Sequence, residues 1–298
     1  DDVCALGMLL GWPGVEIVGI TTTIDPGGRR AGYVAHCLEL AGRGDIPLAA
    51  GAELSLTTLR NADPIVDDER YWPRTATPRT GRPGEALDLL HQSVQQGATI
   101  IGIGPYTNLA MVEASRPGSL GQVPVVVMGG FVRPPDAGLP SWGPGMDWNV
   151  QWDTRAAEIV AQTAQLTLAT LPATMKAHLR AADLPRLRAA GAYGDLLARQ
   201  SEVYGPDNGM TELGRAHPGL PDDLLNFHFD PVACAAAVGW DGADVVEQHL
   251  QPVLDKDGLL RFQPAENGRA IRVLVDIDSA AFTETWLSAI ESIGGPPT

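Results

Sequence analysis

Hydrophobic and polar positions follow two alternating periods along the chain, and these periods predict its strands and helices. Short runs of apolar and β-branched residues predict buried strands at 16–23, 46–51, 98–104, 123–130 and 166–171. Apolar residues at helical spacing predict helices at 3–10, 31–42, 85–97, 107–115 and 154–164. The pattern past about residue 180 is mainly helical, up to a predicted hairpin at 249–262 and a late strand at 269–278.

This regular alternation predicts the fold class. Continuous apolar strands separated by helices are typical of a mostly parallel sheet that is covered on both faces. We therefore expect residues 1–298 to form a single α/β domain, with a Rossmann-like central sheet flanked by helices and a small C-terminal hairpin. Such sheets bind ligands at the carboxyl ends of their strands, so we look for functional residues in the segments that follow strands.

Composition narrows the range of partners. The 298 residues carry a formal net charge of -15, which disfavours nucleic acid and membranes as partners, and no apolar run is long enough to span a bilayer. The three cysteines lack the paired spacing of a disulfide framework or a zinc site, so we expect buried thiols and a cytoplasmic location. The sequence also lacks a G-x-G-x-x-G or Walker loop after the first strand and a G-x-S-x-G motif.

Acidic residues stand at three places on the expected ligand-binding edge. Asp1 and Asp2 open the first helix, Asp147 lies in GMDWN, and Asp230 precedes a proline at a helix start. Acids at helix N-termini cap free N–H groups, which is one interpretation of these positions. The other is a cation site, because carboxylate and carbonyl oxygens without histidine or cysteine are the ligands that suit Ca²⁺.

Six stretches resemble one family in its own order. They are DDVCALGMLL, EIVGITTT, IGPYTNLAM, VVVMGG, DWNVQWDTRAAEIV and FDPVACAAAV, which spread from residue 1 to about residue 240. Together they resemble the inosine–uridine-preferring nucleoside hydrolases. The resemblance implies a parallel α/β fold, Ca²⁺-dependent hydrolysis of the N-glycosidic bond of a small-molecule nucleoside, and self-association as a dimer or tetramer.

The same resemblance implies a ligand set for Ca²⁺. The last two acids of the family's motif Asp-x-Asp-Pro-Gly-x-Asp-Asp match Asp1 and Asp2. Asp2, Asp230 and the backbone carbonyl of Ile103 would then bind the metal, and Asp1 would hold the ribose 2′-hydroxyl. The first strand of the fold and the catalytic base, five positions before Asp2, are expected upstream of residue 1.

Further residues are implied to contact the ribose. Asn149 matches an asparagine that bonds ribose hydroxyls, Asp147 matches a glutamate that reaches the 5′-hydroxyl, and Met128 is expected at the substrate as well. The family's Gly-Asn pair, which supplies a second 5′-hydroxyl ligand, has no match, and Asp136 or Ser141 are the candidates to replace it. Altered recognition of the 5′ end is therefore one of the expectations.

The residue before Asp230 bears on the choice of base. Pyrimidine-tolerant members have a histidine there, whereas this chain has Phe229, with His228 one step further back as a satisfied or solvated side chain. Phe229 and Trp72 would sandwich a purine, as in purine-specific members. For Trp72 the alternative is a hydrophobic anchor of the long loop at 56–83.

Two further candidates concern the base, and two other functions stay open. Tyr71 is the alternative to Trp72 as the second aromatic wall, and Asp25 matches an acid near the base that is also a possible catalytic residue. The chain is thus expected to be a purine nucleoside hydrolase. The alternatives are a hydrolase of pyrimidine or other N-ribosides and a catalytically silent nucleoside- or ribose-binding protein on the same scaffold.

Overall fold

The computed structural model describes residues 1–61 and 69–293. Within them the chain forms ten β-strands: β1 Ile20–Thr21, β2 Leu48–Ala49, β3 Ile100–Gly102, β4 Pro124–Met128, β5 Gln165–Ala169, β6 His178–Arg180, β7 Leu224–Phe227, β8 Ala243–Leu254, β9 Leu260–Pro264 and β10 Arg269–Ile277.

The same residues form twelve α-helices: α1 Asp2–Gly11, α2 Arg29–Leu40, α3 Glu85–Gln95, α4 Thr107–Ser115, α5 Trp148–Trp152, α6 Thr154–Thr163, α7 Leu171–Thr174, α8 Leu184–Ala189, α9 Gly191–Asp207, α10 Met210–Ala216, α11 Phe229–Ala237 and α12 Ser279–Glu291. Each helix predicted from the apolar spacing is present to within two residues at either end. In the described residues no helix is both long and apolar enough to cross a membrane.

The main sheet has six strands in the order β3-β4-β5-β10-β8-β9. Strands β3, β4, β5 and β10 run parallel to one another, and β8 and β9 form the antiparallel side. The expected mostly parallel sheet flanked by helices is therefore confirmed. The predicted C-terminal hairpin is the pair β8 and β9, which closes where Leu254 pairs with Leu260 and extends the main sheet.

A second, parallel sheet consists of β1 and β2 alone. The strand predicted at 16–23 is paired over two residues only, Ile20 with Leu48 and Thr21 with Ala49. No backbone ladder joins β1 to β3 in the described residues, and both strands border one large cavity. The side chain of Asn108 on α4 bridges the two sheets, since it donates to the carbonyl of Thr22 at 2.7 Å and accepts from the amide of Ala52 at 2.9 Å.

The sequence pattern missed a third sheet, the antiparallel pair β6 and β7. The expectation that residues past about 180 are mainly helical holds for α8, α9 and α10, while the strands at 178–180 and 224–227 were not anticipated. These strands are three and four residues long, so they offer too few positions for a period-2 pattern to appear.

Helix α1 is fixed in the core at several points along its length. The indole of Trp286 donates to the carbonyl of Cys4 at 3.1 Å, and the hydroxyl of Tyr193 donates to the carbonyl of Val3 at 2.8 Å. At the other end, a Cβ on Gly11 would lie 1.8 Å from the carbonyl oxygen of Ala289, so only glycine allows this approach to α12. These contacts hold the first turn of α1, with its two carboxylates, at the edge of the cavity.

Candidate active site

A cavity of about 1800 Å³ lies between the two parallel sheets and along the carboxyl ends of β3 and β4. Nine of the expected site residues line it: Asp1, Asp2, Trp72, Ile103, Met128, Asp147, Asn149, Phe229 and Asp230, together with the alternative Tyr71. The structure thus brings residues from α1, the loop before α3, the end of β3, the segment around α5 and α11 to one place. The roles that the resemblance implies for them stay predictions.

Three carboxylates form a cluster at this cavity. Oxygens of Asp1, Asp2 and Asp230 all lie within 4.8 Å of one another, at the first turns of α1 and α11. Asp1 does not cap its own helix; its carboxylate accepts the backbone N–H of Asp230 at 2.9 Å. Burial of Asp230, together with the charge of Asp2, raises the pKa of Asp230 well above its usual range.

The cluster has the character of a site for a hard cation. It offers carboxylate oxygens at short separation and no nitrogen or sulfur ligand, which is the donor set that Ca²⁺ prefers. Capping explains one of the three carboxylates, through the bond from Asp1 to α11, and leaves Asp2 and Asp230 unexplained. The residues present therefore fit a divalent metal ion.

Asn149 ties the ends of β3 and β4 together beside this cluster. Its side-chain amide donates to the carbonyls of Ile103 and Met128, both at 3.1 Å, from the first turn of α5. A carbonyl oxygen has two lone pairs, so Ile103 keeps acceptor capacity for a cation after this bond. The side-chain oxygen of Asn149 stays available for a donor such as a ribose hydroxyl.

Asp147 is held by the backbone around it. Its two oxygens accept the N–H groups of Gly130 and Val150, and its side chain is almost completely buried. Burial raises the pKa of this carboxyl to about 6, against the lowering effect of the two N–H bonds. The carboxylate therefore caps α5 and fixes the glycine turn after β4, where Gly130 has φ of +102°.

Two pairs of stacked rings face the cavity. Trp72 stacks on Tyr33 with ring centroids 4.1 Å apart, and Phe229 stacks on Phe227 at 5.0 Å. Tyr71 lies beside Trp72 and donates its hydroxyl to Asp207 on α9. The long early loop therefore does bring an aromatic side chain to the cavity, which its irregular sequence pattern left open.

Three other candidates lie outside the cavity lining. Asp25 is buried under the turn before α2, where its carboxylate accepts the hydroxyl of Thr22 and two backbone N–H groups, those of Arg30 and Ala31. The expectation that Asp25 lies near the base therefore finds no contact in its favour. Asp136 forms ion pairs with Arg133 and Lys176 away from the cavity, and Ser141 does not line it either.

His228 is part of the core. It is fully buried against Trp286 and Phe282, and neither ring nitrogen has a hydrogen-bond partner in the described part of the chain. Burial lowers its pKa well below the usual value, so the ring is neutral. The one-residue shift from the family position thus turns the imidazole away from the cavity, where Phe229 takes its place.

Sequence reasoning missed one wall of the cavity. Gln200, Tyr204 and Asn208 follow one another at spacings of four residues along the end of α9 and all border the cavity. This i, i+4, i+8 spacing on a helix puts three polar side chains on one face, a signal that was present in the sequence. When the cavity is not known, the same spacing is also that of an ordinary solvent-exposed helix face.

The chain matches known proteins over most of its length. Residues 1–284 match the family described as inosine-uridine preferring nucleoside hydrolase. This chain belongs to that family. The pyrimidine-specific ribonucleoside hydrolase RihA of Salmonella gallinarum is 32% identical over 296 residues, which cover 95% of this chain and 93% of the relative. For the RihA of Salmonella agona the match is 31% over 201 residues and spans 63% of the relative's length.

Two solved structures show the nucleoside hydrolase fold over almost the whole chain. A plant nucleoside hydrolase, the PpNRh1 enzyme, is 22% identical with a TM-score of 0.80, covering 99% of this chain and 96% of that one. A purine-preferring ribonucleoside hydrolase from Gardnerella vaginalis is 20% identical with a TM-score of 0.79, covering 98% and 95%. At these identities the likeness supports the fold, and the predictions of family and fold class are both confirmed.

Proposed function

We propose that this nucleoside hydrolase family member cleaves the N-glycosidic bond of ribonucleosides, with purines preferred, to release the base and ribose. The observation that carries the proposal is the carboxylate cluster of Asp1, Asp2 and Asp230 in a cavity that also presents Trp72 and Phe229. Breaking this bond creates positive charge on the ribose, and dense carboxylates stabilise that charge as it develops.

Ca²⁺ is the metal that we propose for the cluster. Asp2, Asp230 and the carbonyl of Ile103 would hold the ion, which when bound fixes neighbouring hydroxyls and lowers the pKa of a coordinated water. Asp1 would accept the ribose 2′-hydroxyl, and the N–H of Asp230 already orients its carboxylate. Asn149 would bond the same sugar through its side-chain oxygen, since its amide nitrogen is directed to Ile103 and Met128.

The aromatic rings support the preference for purines. A base stacked on an aromatic ring gains about 1–3 kcal/mol, and the gain rises with the shared ring area. Trp72 and Phe229 are each backed by a second ring, which holds their faces in place. The Gardnerella enzyme is described as purine-preferring, whereas the Salmonella relatives are described as pyrimidine-specific, so pyrimidine hydrolysis is the second candidate.

Ribose release from inosine and uridine tests the proposal. We expect turnover of inosine above that of uridine in Ca²⁺, loss of turnover in excess chelator, and recovery when Ca²⁺ is restored. Asp230→Asn should abolish turnover and calorimetric Ca²⁺ binding together. Asp136→Asn is the matched control, because this carboxylate pairs with Arg133 and Lys176 outside the cavity.

Each other outcome selects an alternative. Faster turnover of uridine would make the protein a pyrimidine hydrolase, and turnover that survives the chelator would remove Ca²⁺ from the proposal. Binding of inosine without ribose release would favour a binding protein. Self-association and a cytoplasmic location stay predictions from the sequence.

A further inference from the structure

Two of the three polar side chains at the end of α9, those of Gln200 and Tyr204, have no structural task that accounts for them. Tyr204 is half-buried at the cavity, and its hydroxyl makes no hydrogen bond to another residue in the described part of the chain. The side-chain amide of Gln200, one turn earlier, is likewise without a protein partner in those residues. Both groups therefore face the cavity with their hydrogen-bonding capacity unused.

The reaction needs a donor on the base side of the cavity. When the C1′–N bond breaks, its electron pair goes to the base, and a departing base leaves more readily when a donor stabilises that charge. His228 does not supply the donor, because it lies in the core away from the cavity. The hydroxyl of Tyr71 is engaged by Asp207, and the ring of Tyr33 is stacked on Trp72 as its backing.

We propose that the Tyr204 hydroxyl donates a hydrogen bond to the departing base and that Gln200 binds the edge of the same base. This inference rests on the proposed function. As the C1′–N bond breaks, water adds its hydroxyl to C1′, and the remaining proton of that water balances the charge of the base. The Tyr204 hydroxyl donates its hydrogen bond to the base throughout the step and keeps its own proton.

The surroundings of Tyr204 suit a donor that stays protonated. Burial raises the pKa of its phenol above the ordinary value for tyrosine, so the O–H group is intact at neutral pH. The backbone carbonyl of Tyr204 accepts from the side chain and the backbone N–H of Asn208, which fixes the last turn of the helix under the ring. A phenol at a fixed place in a partly desolvated cavity stabilises charge better than one in water.

The test is Tyr204→Phe, assayed on two substrates that differ only in the leaving group. Inosine has a poor leaving group and needs the donor, whereas p-nitrophenyl β-D-riboside releases a stable anion and does not. We expect kcat/KM on inosine to fall about 100-fold, the lower range for loss of such a donor, with p-nitrophenyl riboside within about threefold of the unchanged protein. Gln200→Leu should raise KM for inosine and leave p-nitrophenyl riboside unaffected.

Asp195→Ala is the matched control on the same helix. Its carboxylate pairs with Arg188 at the surface and does not line the cavity, so both substrates should be turned over as before. An equal loss on both substrates in Tyr204→Phe would show a positioning effect and overturn the inference, as would an unchanged rate on inosine. If the unchanged protein releases ribose from neither substrate, the proposed function fails and the inference fails with it. If the unchanged protein is active and Tyr204→Phe does not discriminate between the substrates, only the inference fails.

Discussion

The hydroxyl of Tyr71 donates a hydrogen bond to the carboxylate of Asp207 at 3.0 Å, and this bond joins the loop before α3 to the end of α9. Arg70 pairs with the same carboxylate, and Arg199 donates to the carbonyls of Glu69 and Arg70. This set of contacts holds the segment that carries Trp72 against the cavity.

Removing Asp207 should therefore weaken substrate binding without touching the reacting atoms. In Asp207→Ala we expect KM for inosine to rise about fivefold, equivalent to about 1 kcal/mol for a partly exposed network, with kcat within twofold. Steady-state kinetics measure the effect. The control is Asp195→Ala, which lies on α9 like Asp207 and removes only a surface partner of Arg188. A fall in kcat at constant KM would contradict the assigned role.

Truncating the aromatic wall should affect the large base more than the small one. Trp72→Leu removes a ring that is stacked on Tyr33, and we expect a loss of about 1–2 kcal/mol in inosine binding, or roughly tenfold in KM. The ratio of the inosine and uridine KM values is the measurement, because it cancels any general loss. An unchanged ratio would show that Trp72 does not contact the base and serves as a hydrophobic anchor of its loop.

Asn149 should stabilise the fold as well as the site. Asn149→Leu keeps the size of the side chain but leaves the carbonyl of Ile103 without this donor, while the carbonyl of Met128 keeps the hydroxyl of Tyr106. At about 1–3 kcal/mol for a buried group left unpaired, we expect the free energy of unfolding to fall by about 1–3 kcal/mol. Urea unfolding measures it, with Ser201→Ala as the mild comparison. A loss within experimental error would mean that water replaces the amide.

The buried carboxyl of Asp147 should make stability fall as pH rises. Its pKa is about 6 in the folded protein, whereas an unfolded aspartate has its ordinary lower value, so the folded state holds the extra proton between the two. The stability due to protonation is complete below about pH 4 and is lost by about pH 6, a change of roughly 3 kcal/mol at 1.36 kcal/mol per unit. Asp147→Asn removes this dependence.

Urea unfolding of both proteins at pH 4, 5, 6 and 7 provides the comparison. The difference in unfolding free energy between the original chain and Asp147→Asn should shift in favour of the amide as pH rises from about 4 to 6. Chelator is kept in all samples so that metal binding does not contribute. A difference that is constant with pH would show that the pKa of this carboxyl is the same in the folded and unfolded protein.

Much of the fold was predictable because it depends on local patterns. Helix α4 was predicted at 107–115, the same bounds as in the structure, since its apolar residues keep helical spacing up to a proline at 117. The two-residue length of β1 was not predictable, because strand pairing depends on which neighbour is present and not on the apolar run itself.

The candidate site divides in a similar way. The cluster of Asp1, Asp2 and Asp230 could be anticipated, since both helix starts lie on the edge of the sheet that binds ligands. The burial of Asp25 could not, because an acid in a turn before a helix looks the same whether it caps the helix or faces a ligand. Tyr204 was missed because its spacing with Gln200 and Asn208 is also that of an ordinary solvent-exposed helix face, until the cavity beside it is known.

Asn108 links the two parallel sheets, because from helix α4 it bonds the carbonyl of Thr22 and the amide of Ala52. A nucleoside that reaches from the end of β3 to Trp72 would contact both sides of the same cavity. Occupancy of the cavity would then add to the thermal stability of the protein: Tm should climb with the logarithm of ligand concentration above Kd, the behaviour expected when a ligand binds the folded state alone. A thermal-shift titration with a non-hydrolysable nucleoside analogue would thus report both the affinity for the analogue and the gain in Tm that its binding gives.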